Sequence, residues 1–516
     1  MAVNVNETET KYDAPAGAAL PRLDGLPQVA GTSRPAGEQL EAEYYDTGDL
    51  RLIRAGITLR RRRGGEDAGW HLKLPAGADT RREIRLPLGR GGQQGPGELH
   101  GGQQVPGELA GLIRAYTRGE SLRLVVRMAT SRQRLILLGQ AGESLAEVAA
   151  DDVSAQVLGD SAAESSWHEV EVELTGGGRK LLEAADDLLR RGGLRAAGRS
   201  AKLQRALAGQ LPEPVPPAPL TSSSPAGQVV LAYLRTSADR LKSLDPMVRR
   251  DEPDAVHQMR VATRRLRSTL RSFGKIIRRD GTQRLAAELK WLGTVLGEAR
   301  DAEVLAGHLL AGLRETPIEL VIGPVKARVR GHFAPVRAGA RTTLLEALDS
   351  QRYFSLLDEL DTLMAEPPFT PRAARPAADV LPAAARRSYR QVRRRMRRAR
   401  CAHAGQPAHE ALHEARKAAK RARYAAEAMA PAIGKKARRF AKQMKAVESV
   451  LSDHQDTVIA RPAVRKLGIN AHLAGENAFS YGLLYGRGTC DGERLQAQAW
   501  RTWNRASRRR YRRWMH

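Results

Sequence analysis

The stretch HQMRVATRRLR at residues 257–267 returns as HEARKAAKRAR at residues 413–423. A second matched pair follows downstream, LGEARD ending at Asp301 and LSDHQD ending at Asp456. These Asp residues lie 44 and 43 positions after the histidine that opens the corresponding stretch. Two signatures that recur at the same separation indicate an internal repeat of long helices. We interpret the segments that end at Asp as turns.

Each repeated stretch places cations on one side of a helix. At about 100° per residue, the cations that follow each histidine at three- and four-residue spacing share a sector of about 80°. The first stripe is His257, Arg260, Arg264, Arg267 and Arg271, and the second is His413, Arg416, Lys420 and Arg423. Arg265 and Arg421 fall outside the stripes. A row of like charges repels itself unless an anion lies against it, so the stripes are predicted to bind a polyanion. A solvated charged face is the alternative, but such faces usually interleave carboxylates with the cations.

The charge of the chain is distributed unevenly. The 516 residues carry a net charge of +28. Residues 1–220 contain 28 Lys or Arg against 29 Asp or Glu, whereas residues 221–516 contain 57 against 28. The whole positive excess therefore lies in the second part of the chain, where an acidic partner is expected to bind.

The change in charge coincides with a change in amino-acid composition and in the spacing of apolar residues. LPEPVPPAPLTSSSPA at residues 211–226 is too rich in proline for a helix or a strand, which predicts a linker. After it, Ala, Leu, Arg and Glu dominate and apolar residues recur at helical spacing, so an all-α domain is expected. The predicted organisation is a first domain at 1–207, a linker at 208–226, and a helical domain at 227–516 with repeats at about 227–370 and 380–516.

The second domain resembles the conserved histidine α-helical domain, CHAD. The resemblance covers roughly residues 227–516 and rests on both stripes and both Asp-ending segments. It implies two pseudo-symmetric helical bundles around a basic channel that binds inorganic polyphosphate, with the residues of the two stripes as phosphate contacts. The copies differ at two places, because Glu427 stands at the position of Arg271 and Ser452 at that of Gly297.

Before the linker, polar and apolar residues alternate in short segments, as they do in strands with two different faces. Helical spacing appears in only two places there, 107–118 and 181–191. The predicted strands are 7–12, 57–63, 70–74, 83–88, 122–128, 132–138 and 167–174.

Several of these strands carry charge on a single face. ETETK at residues 7–11 and WHEVEVEL at residues 167–174 each align acidic side chains, whereas LRRRR at residues 59–63 and WHLKL at residues 70–74 contribute cations. A solvated sheet face would explain any one of them. Together they fit the inside of a closed barrel, where carboxylates would hold Mg²⁺ or Mn²⁺ and the cations would contact phosphate oxygens. Such a site would support attack of water on a triphosphate.

This first domain resembles the CYTH superfamily, the triphosphate tunnel metalloenzymes, over roughly residues 1–207. The resemblance implies an eight-stranded antiparallel β-barrel tunnel flanked by helices. It implies catalytic roles for Glu7, Glu9 and Lys11, metal ligation by Glu7, Glu9, Glu169 and Glu171, and phosphate contacts from Lys11, Arg60, Arg62, Lys73, Arg82, Arg127 and Lys202.

Strand parity leaves two points open in the tunnel. Arg127 has the opposite parity to Arg132 and Arg134, so the three cannot all face inward without a bulge. Glu147 and Asp151 share a parity, and one of them is a candidate to complete the metal site.

These patterns predict a metal-dependent triphosphatase joined to a polyphosphate-binding module. An organic triphosphate, thiamine triphosphate or a nucleotide, is the alternative substrate, with cyclase activity included. Nucleic acid is a weaker alternative partner, because the stripes lack aromatic platforms and base-reading Asn or Gln. Two cysteines are too few for a disulfide framework, and no apolar run is long enough to span a membrane. A cytoplasmic protein is expected, with polyphosphate granules as a place of association.

Overall fold

The computed structural model describes residues 3–515 apart from 16–21, 24, 78–79, 89–104, 160–161, 198–201, 212–217 and 404, with side chains from residue 8 onward. The chain divides into two compact units, Met1–Pro216 (the first unit) and Pro217–His516 (the second unit). Most prolines of the predicted linker lie at 212–217, outside the described residues.

The described part of the first unit is rich in strands. Its strands are β1 (Val3–Ala14), β2 (Gly31–Ser33), β3 (Glu38–Asp46), β4 (Thr58–Arg63), β5 (Gly69–Pro75), β6 (Thr80–Pro87), β7 (Arg123–Leu138), β8 (Ser144–Val157), β9 (Ala163–Leu174) and β10 (Arg195–Ala196). Its helices are α1 (Arg51–Arg54), α2 (Gly107–Leu112), α3 (Arg114–Thr117), α4 (Arg179–Arg191) and α5 (Lys202–Ala206).

Eight of the strands close into an antiparallel barrel. They follow the order β1-β6-β5-β4-β3-β7-β8-β9, and β9 pairs back onto β1 with Lys11 opposite Glu171. The short strands β2 and β10 pair with β7 and β1. Closure leaves no long strand edge to solvent. The predicted eight-stranded antiparallel barrel with helices is confirmed.

Parity along each strand separates a charged interior from an apolar exterior. On the outer side, Tyr12, Val148 and Val172 pack against Leu181 and Leu189 of α4. This apolar layer covers the seam at which β9 meets β1. The inner side of the same strands carries Lys11 of β1 and the acidic residues of β8 and β9.

Two strands of the barrel were not predicted from the sequence, and two predicted strands proved to be one. β3 is rich in Glu and β8 is rich in Ala and Asp, so neither has the β-branched and aromatic composition typical of strands. The segments predicted at 122–128 and 132–138 form the single strand β7, because alternation continues through the small residues between them.

The second unit is all-helical in its described residues, as predicted. Its helices are α6 (Ala226–Arg249), α7 (Ala255–Ser272), α8 (Gln283–Arg314), α9 (Val325–Leu348), α10 (Gln351–Ala365), α11 (Ala377–Cys401), α12 (Gln406–Ile433), α13 (Lys435–Leu473) and α14 (Phe479–Ala506). None of the helices in the described part of the chain combines the length and apolarity needed to cross a bilayer.

The Asp-ending segments are not turns. Residues 296–301 lie within α8 and residues 451–456 within α13, both of which continue without interruption. Gly297 has a different purpose, since a Cβ there would come within 3.3 Å of the Arg260 guanidinium. The glycine therefore makes room for a stripe residue of α7.

The stripes belong to helices that pack together. α12 contacts α7, α11 and α13. Its buried face consists largely of alanine, including Ala415, Ala419 and Ala422. Small side chains allow helix axes to approach closely, which brings the cations of neighbouring helices within range of one another.

Truncation of a buried side chain in the apolar layer over the barrel seam is predicted to destabilise the fold strongly. Leu189→Ala should lower the free energy of unfolding by about 2–5 kcal/mol, because Leu189 is fully buried against the outer face of the barrel. Urea unfolding followed by tryptophan fluorescence measures the change. Leu188→Ala is the matched control, since its side chain is only partly buried, and an equal loss in both variants would contradict this account.

Candidate functional sites

The barrel of the first unit encloses a charged cavity of about 480 Å³. Nine Lys or Arg and seven Asp or Glu side chains line it among the described residues. The cations are Lys11, Arg60, Arg62, Lys73, Arg81, Arg85, Arg132, Arg134 and Lys202. An interior so dense in both signs of charge is unlike an ordinary protein core and requires close pairing or a charged ligand.

Three carboxylates meet on one wall of this cavity. Asp151 of β8 and Glu169 and Glu171 of β9 lie on the inward parity of adjacent strands, and their ligand oxygens all lie within 4.8 Å of one another. This buried acidic cluster (Asp151, Glu169 and Glu171) offers only oxygen ligands, the type that Mg²⁺ and Mn²⁺ prefer. The cluster could therefore bind a divalent ion.

Neighbouring cations lower the pKa values of two members of the acidic cluster, Asp151 and Glu171. Burial by itself would raise the pKa of Asp151, but Lys202 and Arg132 hold that pKa below its ordinary value. The pKa of Glu171 is held well below its ordinary value against the same effect of burial by Lys11, Lys202 and Arg132. Arg132 Nε and Nη2 donate to the two Asp151 oxygens at 2.7 Å, and Nη2 also reaches Glu171 at 2.8 Å.

Lys11 and Glu9 extend the cluster onto β1. The Lys11 ammonium contacts a Glu171 carboxylate oxygen and lies 3.1 Å from Glu9 Oε2. Burial would raise the pKa of Glu9, but Lys11 and Lys73 lower it below its ordinary value. Glu7 lies opposite Arg81 in the pairing of β1 with β6, and its side chain lies outside the described residues.

A basic wall faces the acidic cluster. β4 and β5 are three or four positions around the barrel from β8 and β9, so they lie on opposite sides of the interior. Arg60, Arg62 and Lys73 project inward from this wall and line the cavity. Arg62 Nη1 donates to both oxygens of Asp67, at 2.8 and 2.7 Å. Burial would raise the pKa of Asp67, but Arg62 and Arg60 lower it to about 2.

Sequence reasoning missed the carboxylate that organises this wall. Glu83 is fully buried, its carboxylate accepts from His71 Nδ1 at 2.8 Å, and it lies 3.7 Å from Lys73 Nζ and 3.9 Å from Arg60 Nη2. Its inward position follows from its pairing opposite Lys73. The parity of RRE at residues 81–83 was the signal that could have identified it.

Two of the predicted phosphate contacts lie on the wrong face of the barrel. The Arg127 side chain is 59 % exposed, and its Nε is 3.9 Å from Glu43 on the outer surface. Because β7 has no bulge between Arg127 and Arg132, parity places Arg132 and Arg134 inside instead. Arg82 is likewise out of phase with Glu83, and the cavity is lined by its neighbours Arg81 and Arg85.

In the second unit, cations of both stripes converge around one tyrosine. Tyr424 of α12 is fully buried, and its hydroxyl accepts from Arg264 Nε at 3.0 Å. The guanidinium carbons of Arg264, Arg265 and Arg423 lie 5.9, 5.9 and 4.6 Å from the centre of its ring. Such contacts of a cation with an aromatic face stabilise like-charged groups that would otherwise repel.

Carboxylates neutralise the second stripe more than the first. Glu448 of α13 lies 3.6 Å from Lys420 Nζ and 3.1 Å from Arg423 Nε, and Glu427 lies 3.5 Å from Arg423. On the first stripe, Arg260 donates to Asp301 at 2.9 Å. The histidine His413 pairs with the uncharged Gln455 at 2.8 Å.

Positive charges in and beside the stripes also lie close to one another. Burial, Arg264 and Arg416 lower the pKa of Lys420 to about 7. Burial and Arg271 also lower the pKa of Arg421, and Arg395 of α11 acts in the same direction. Helical spacing places Arg421 outside the stripes, but Arg421 interacts electrostatically with Arg271 of α7 and Arg395 of α11, which pack beside α12. We call the two stripes with Arg421 and Arg395 the cationic groove.

Two family models match the chain. The CYTH domain model matches residues 6–199 and the CHAD domain model matches residues 232–465. Two uncharacterized proteins of Mycobacterium tuberculosis, from strains CDC 1551 and H37Rv, are each 37 % identical to the chain over 509 residues, which cover 95 % of this chain and 94 % of theirs. The chain belongs to the CYTH–CHAD proteins.

Solved structures resemble parts of this CYTH–CHAD protein. PptA from Streptomyces chartreusis is 21 % identical with a TM-score of 0.46, over 55 % of this chain and 100 % of that one. The CHAD domain from the plant Ricinus communis is 24 % identical with a TM-score of 0.43, over 56 % and 95 %. The matches to the two family models place the CYTH domain in the first unit and the CHAD domain in the second unit.

The crowding of cations in the CHAD domain has a chemical consequence at Lys420. A lysine with a pKa of about 7 exposes a neutral, nucleophilic amine near neutral pH. We expect acetic anhydride to modify Lys420 at a rate that reaches its plateau by about pH 8. Mass-spectrometric mapping between pH 6 and 9 measures this rate. Lys417, which is 49 % exposed and lies 2.9 Å from Glu414, is the control for access of the reagent.

A Lys420 rate that still climbs steeply at pH 9 would contradict the expected pKa. Arg264→Gln provides a second comparison, because removal of a neighbouring positive charge should move the midpoint of Lys420 to higher pH.

Proposed function

We propose that the CYTH domain binds and hydrolyses inorganic triphosphate in its tunnel. The observation that carries this proposal is the placement of the acidic cluster and the basic wall on opposite sides of one cavity. Membership of the CYTH–CHAD proteins supports it. An anion as dense in charge as triphosphate needs cations along its length, and Arg60, Arg62, Lys73 and Arg134 supply them from three strands.

The acidic cluster fits a divalent ion, since its three carboxylates converge and offer only oxygen ligands, and nearby cations hold the pKa of Asp151 and of Glu171 below its ordinary value. We propose that Asp151, Glu169 and Glu171 hold Mg²⁺ or Mn²⁺, with Glu9 alongside. The ion would neutralise charge on the phosphates and lower the pKa of a water molecule. Lys11 is fully enclosed between Glu9 and Glu171 and would orient the phosphate nearest the acidic cluster.

The composition of the cavity wall favours an inorganic substrate over an organic one. Among the described lining residues, Tyr44 is the only aromatic side chain and Leu203 the only aliphatic one. A nucleobase or a thiazole ring requires apolar or stacking surface, which binding pockets for such groups normally provide. Thiamine triphosphatase, nucleotide hydrolysis and cyclase activity are therefore the secondary candidates.

The two faces of β7 provide a sharp test of the tunnel. Arg132→Ala should lower kcat/KM for triphosphate hydrolysis by about a hundredfold or more, because Arg132 holds Asp151 and Glu171 in place inside the cavity. Phosphate release with Mg²⁺ or Mn²⁺ measures the effect. Arg127→Ala removes the same charge from the outer face of the same strand and should leave the rate within about twofold of wild type.

Absence of phosphate release from wild-type protein with either metal would end the proposal of triphosphate hydrolysis. Equal losses in the two arginine variants would show that net charge, rather than the position of Arg132, sets the rate.

We propose further that the CHAD domain binds inorganic polyphosphate along the cationic groove. Support comes from cations that crowd one another across α7, α11 and α12, since a chain of phosphates relieves repulsion along its whole length. Nucleic acid remains the weaker candidate. The aromatic group at the centre of the groove, Tyr424, is fully buried and offers no face on which a base could stack. Association with polyphosphate granules follows from this proposal as a prediction.

Adjacent arginines on α7 test the groove. Arg264→Ala should weaken polyphosphate binding by about tenfold and reduce the slope of log affinity against log salt by about one. Arg265→Ala removes the same charge one residue away, but Arg265 lies 3.5 Å from Glu427 and outside the stripe, so a change below about threefold is expected. Fluorescence anisotropy with labelled polyphosphate at several salt concentrations measures both quantities.

Competition by duplex DNA at fixed salt distinguishes the two polyanions. DNA that displaces polyphosphate at equal phosphate concentration, or an unchanged affinity in Arg264→Ala, would count against specific binding of polyphosphate in this groove.

A further inference from the structure

Lys202 lies at the centre of the acidic cluster. Its ammonium nitrogen is 2.8 Å from Asp151 Oδ2, 2.5 Å from Glu169 Oε1 and 2.6 Å from Glu171 Oε1. Lys11 and Arg132 contact the cluster only from its sides, and neither reaches all three carboxylates in the contacts described. The place equidistant from the three carboxylates is the place in which an ion bound by them would lie.

The outer oxygens of the cluster are already engaged. Arg132 donates to Asp151 Oδ1 and to Glu171 Oε2, and the indole of Trp167 donates to Glu169 Oε2 at 2.6 Å. The oxygens that face the centre are Asp151 Oδ2, Glu169 Oε1 and Glu171 Oε1, and Lys202 contacts all three. Arg132 also donates to Asp151 Oδ2 and Lys11 to Glu171 Oε1, so Glu169 Oε1 is the central oxygen that Lys202 contacts without either of them. Lys202 and a divalent ion therefore require the same three oxygens, and the two cannot bind them together.

The backbone that carries Lys202 is anchored apart from its side chain. Leu203 and Leu207 pack in the apolar core between β3, β7 and β8. The Arg205 guanidinium lies 5.0 Å from the centre of the Trp167 ring and contacts Asp13. The four-carbon side chain of Lys202 can thus leave the cluster by rotation about its own bonds while α5 stays in place.

We propose that Lys202 competes with a divalent ion for the centre of the acidic cluster and passes to the phosphate when the ion binds. The inference rests on the proposed function for its metal and its anion. With Lys11, Arg132 and Lys202 in contact, three cations balance the three carboxylates. Exchange of Lys202 for a divalent ion leaves the site more positive, and a triphosphate near the displaced ammonium restores the balance.

This exchange couples the two ligands. If the anion stabilises Lys202 outside the cluster, it must tighten binding of the ion, and the ion must tighten binding of the anion by the same factor. Lys202 accordingly acts as a positioning residue for ordered binding. A permanent structural role, with Lys202 fixed on the cluster, predicts no such coupling.

Calorimetric titration of full-length protein with Mn²⁺ tests the exchange without relying on catalysis. In the absence of phosphate, Lys202→Met should bind Mn²⁺ at least about tenfold more tightly than wild type, because no ammonium competes for the oxygens. A methylene-bridged, non-hydrolysable triphosphate analogue should tighten Mn²⁺ binding by wild type. The same analogue should have little effect on the affinity of Lys202→Met.

Arg127→Met is the control, since it removes one positive charge from the outer face of β7, away from the acidic cluster. This variant should retain the coupling between analogue and Mn²⁺. Lys202→Gln, checked for folding by circular dichroism, provides a second substitution should Lys202→Met be destabilised. Mn²⁺ affinity that is unchanged or weaker in both Lys202 variants, or equal coupling in all proteins, would overturn the proposal.

The outcome is separable from that of the proposed hydrolysis. Tighter Mn²⁺ binding in Lys202→Met supports the exchange even if wild-type protein releases no phosphate from triphosphate. Conversely, active wild-type protein with unchanged Mn²⁺ affinity in the Lys202 variants retains the enzymatic function and removes the role of Lys202.

Discussion

Ion pairing inside a closed barrel is the constraint on which the first unit depends. Closure of β9 onto β1 encloses more than a dozen charged side chains, and each must be compensated locally because water has limited access. Lys11, Arg132 and Lys202 pair with the acidic cluster on one side, and Asp67 and Glu83 pair with cations of the basic wall on the other. The barrel holds its charges in the arrangement that a phosphate and a metal ion would need, so little reorganisation is required when they bind.

The second unit meets the opposite situation, because it has far more positive than negative charge. Its helices bring like charges together and pair only part of them with carboxylates, and burial together with the positive charges of Arg264 and Arg416 lowers the pKa of Lys420. Tyr424 moderates this repulsion through its ring and hydroxyl, and Glu448 through its carboxylate. The two stripes are consequently unequal. At the position that matches Glu448 in the first copy stands Gly293, which adds no negative charge to the first stripe.

Strand parity explains which site residues the sequence could identify. Lys11, Arg60, Arg62, Lys73, Glu169 and Glu171 lie on regular strands whose alternation is visible in the sequence, and all line the cavity or form the acidic cluster. Parity also exposed the conflict at Arg127 but could not say which face was inside. The inward face of β7 is set by its pairing with β3 and β8, and these two strands could not be recognised from their composition. The helical stripes could be identified for a similar reason, since helical spacing is regular. The turns predicted at Gly297 and Ser452 were wrong, because a glycine can make room for a neighbouring side chain inside a helix as well as allow a turn.

The sequence by itself determined the local periodicities, and with them most of the barrel strands, the all-helical second unit, the repeat and the inward or outward partition of most charged residues. These follow from interactions between neighbours along the chain. Only the tertiary structure decided that Asp151 joins Glu169 and Glu171, that Arg132 replaces Arg127 inside the barrel, and that Arg421 faces the first stripe. It also brought Lys202, about thirty residues from Glu171, onto the centre of the acidic cluster. Such convergence depends on strand order and helix packing, which join residues distant in sequence and leave no periodic trace in the chain.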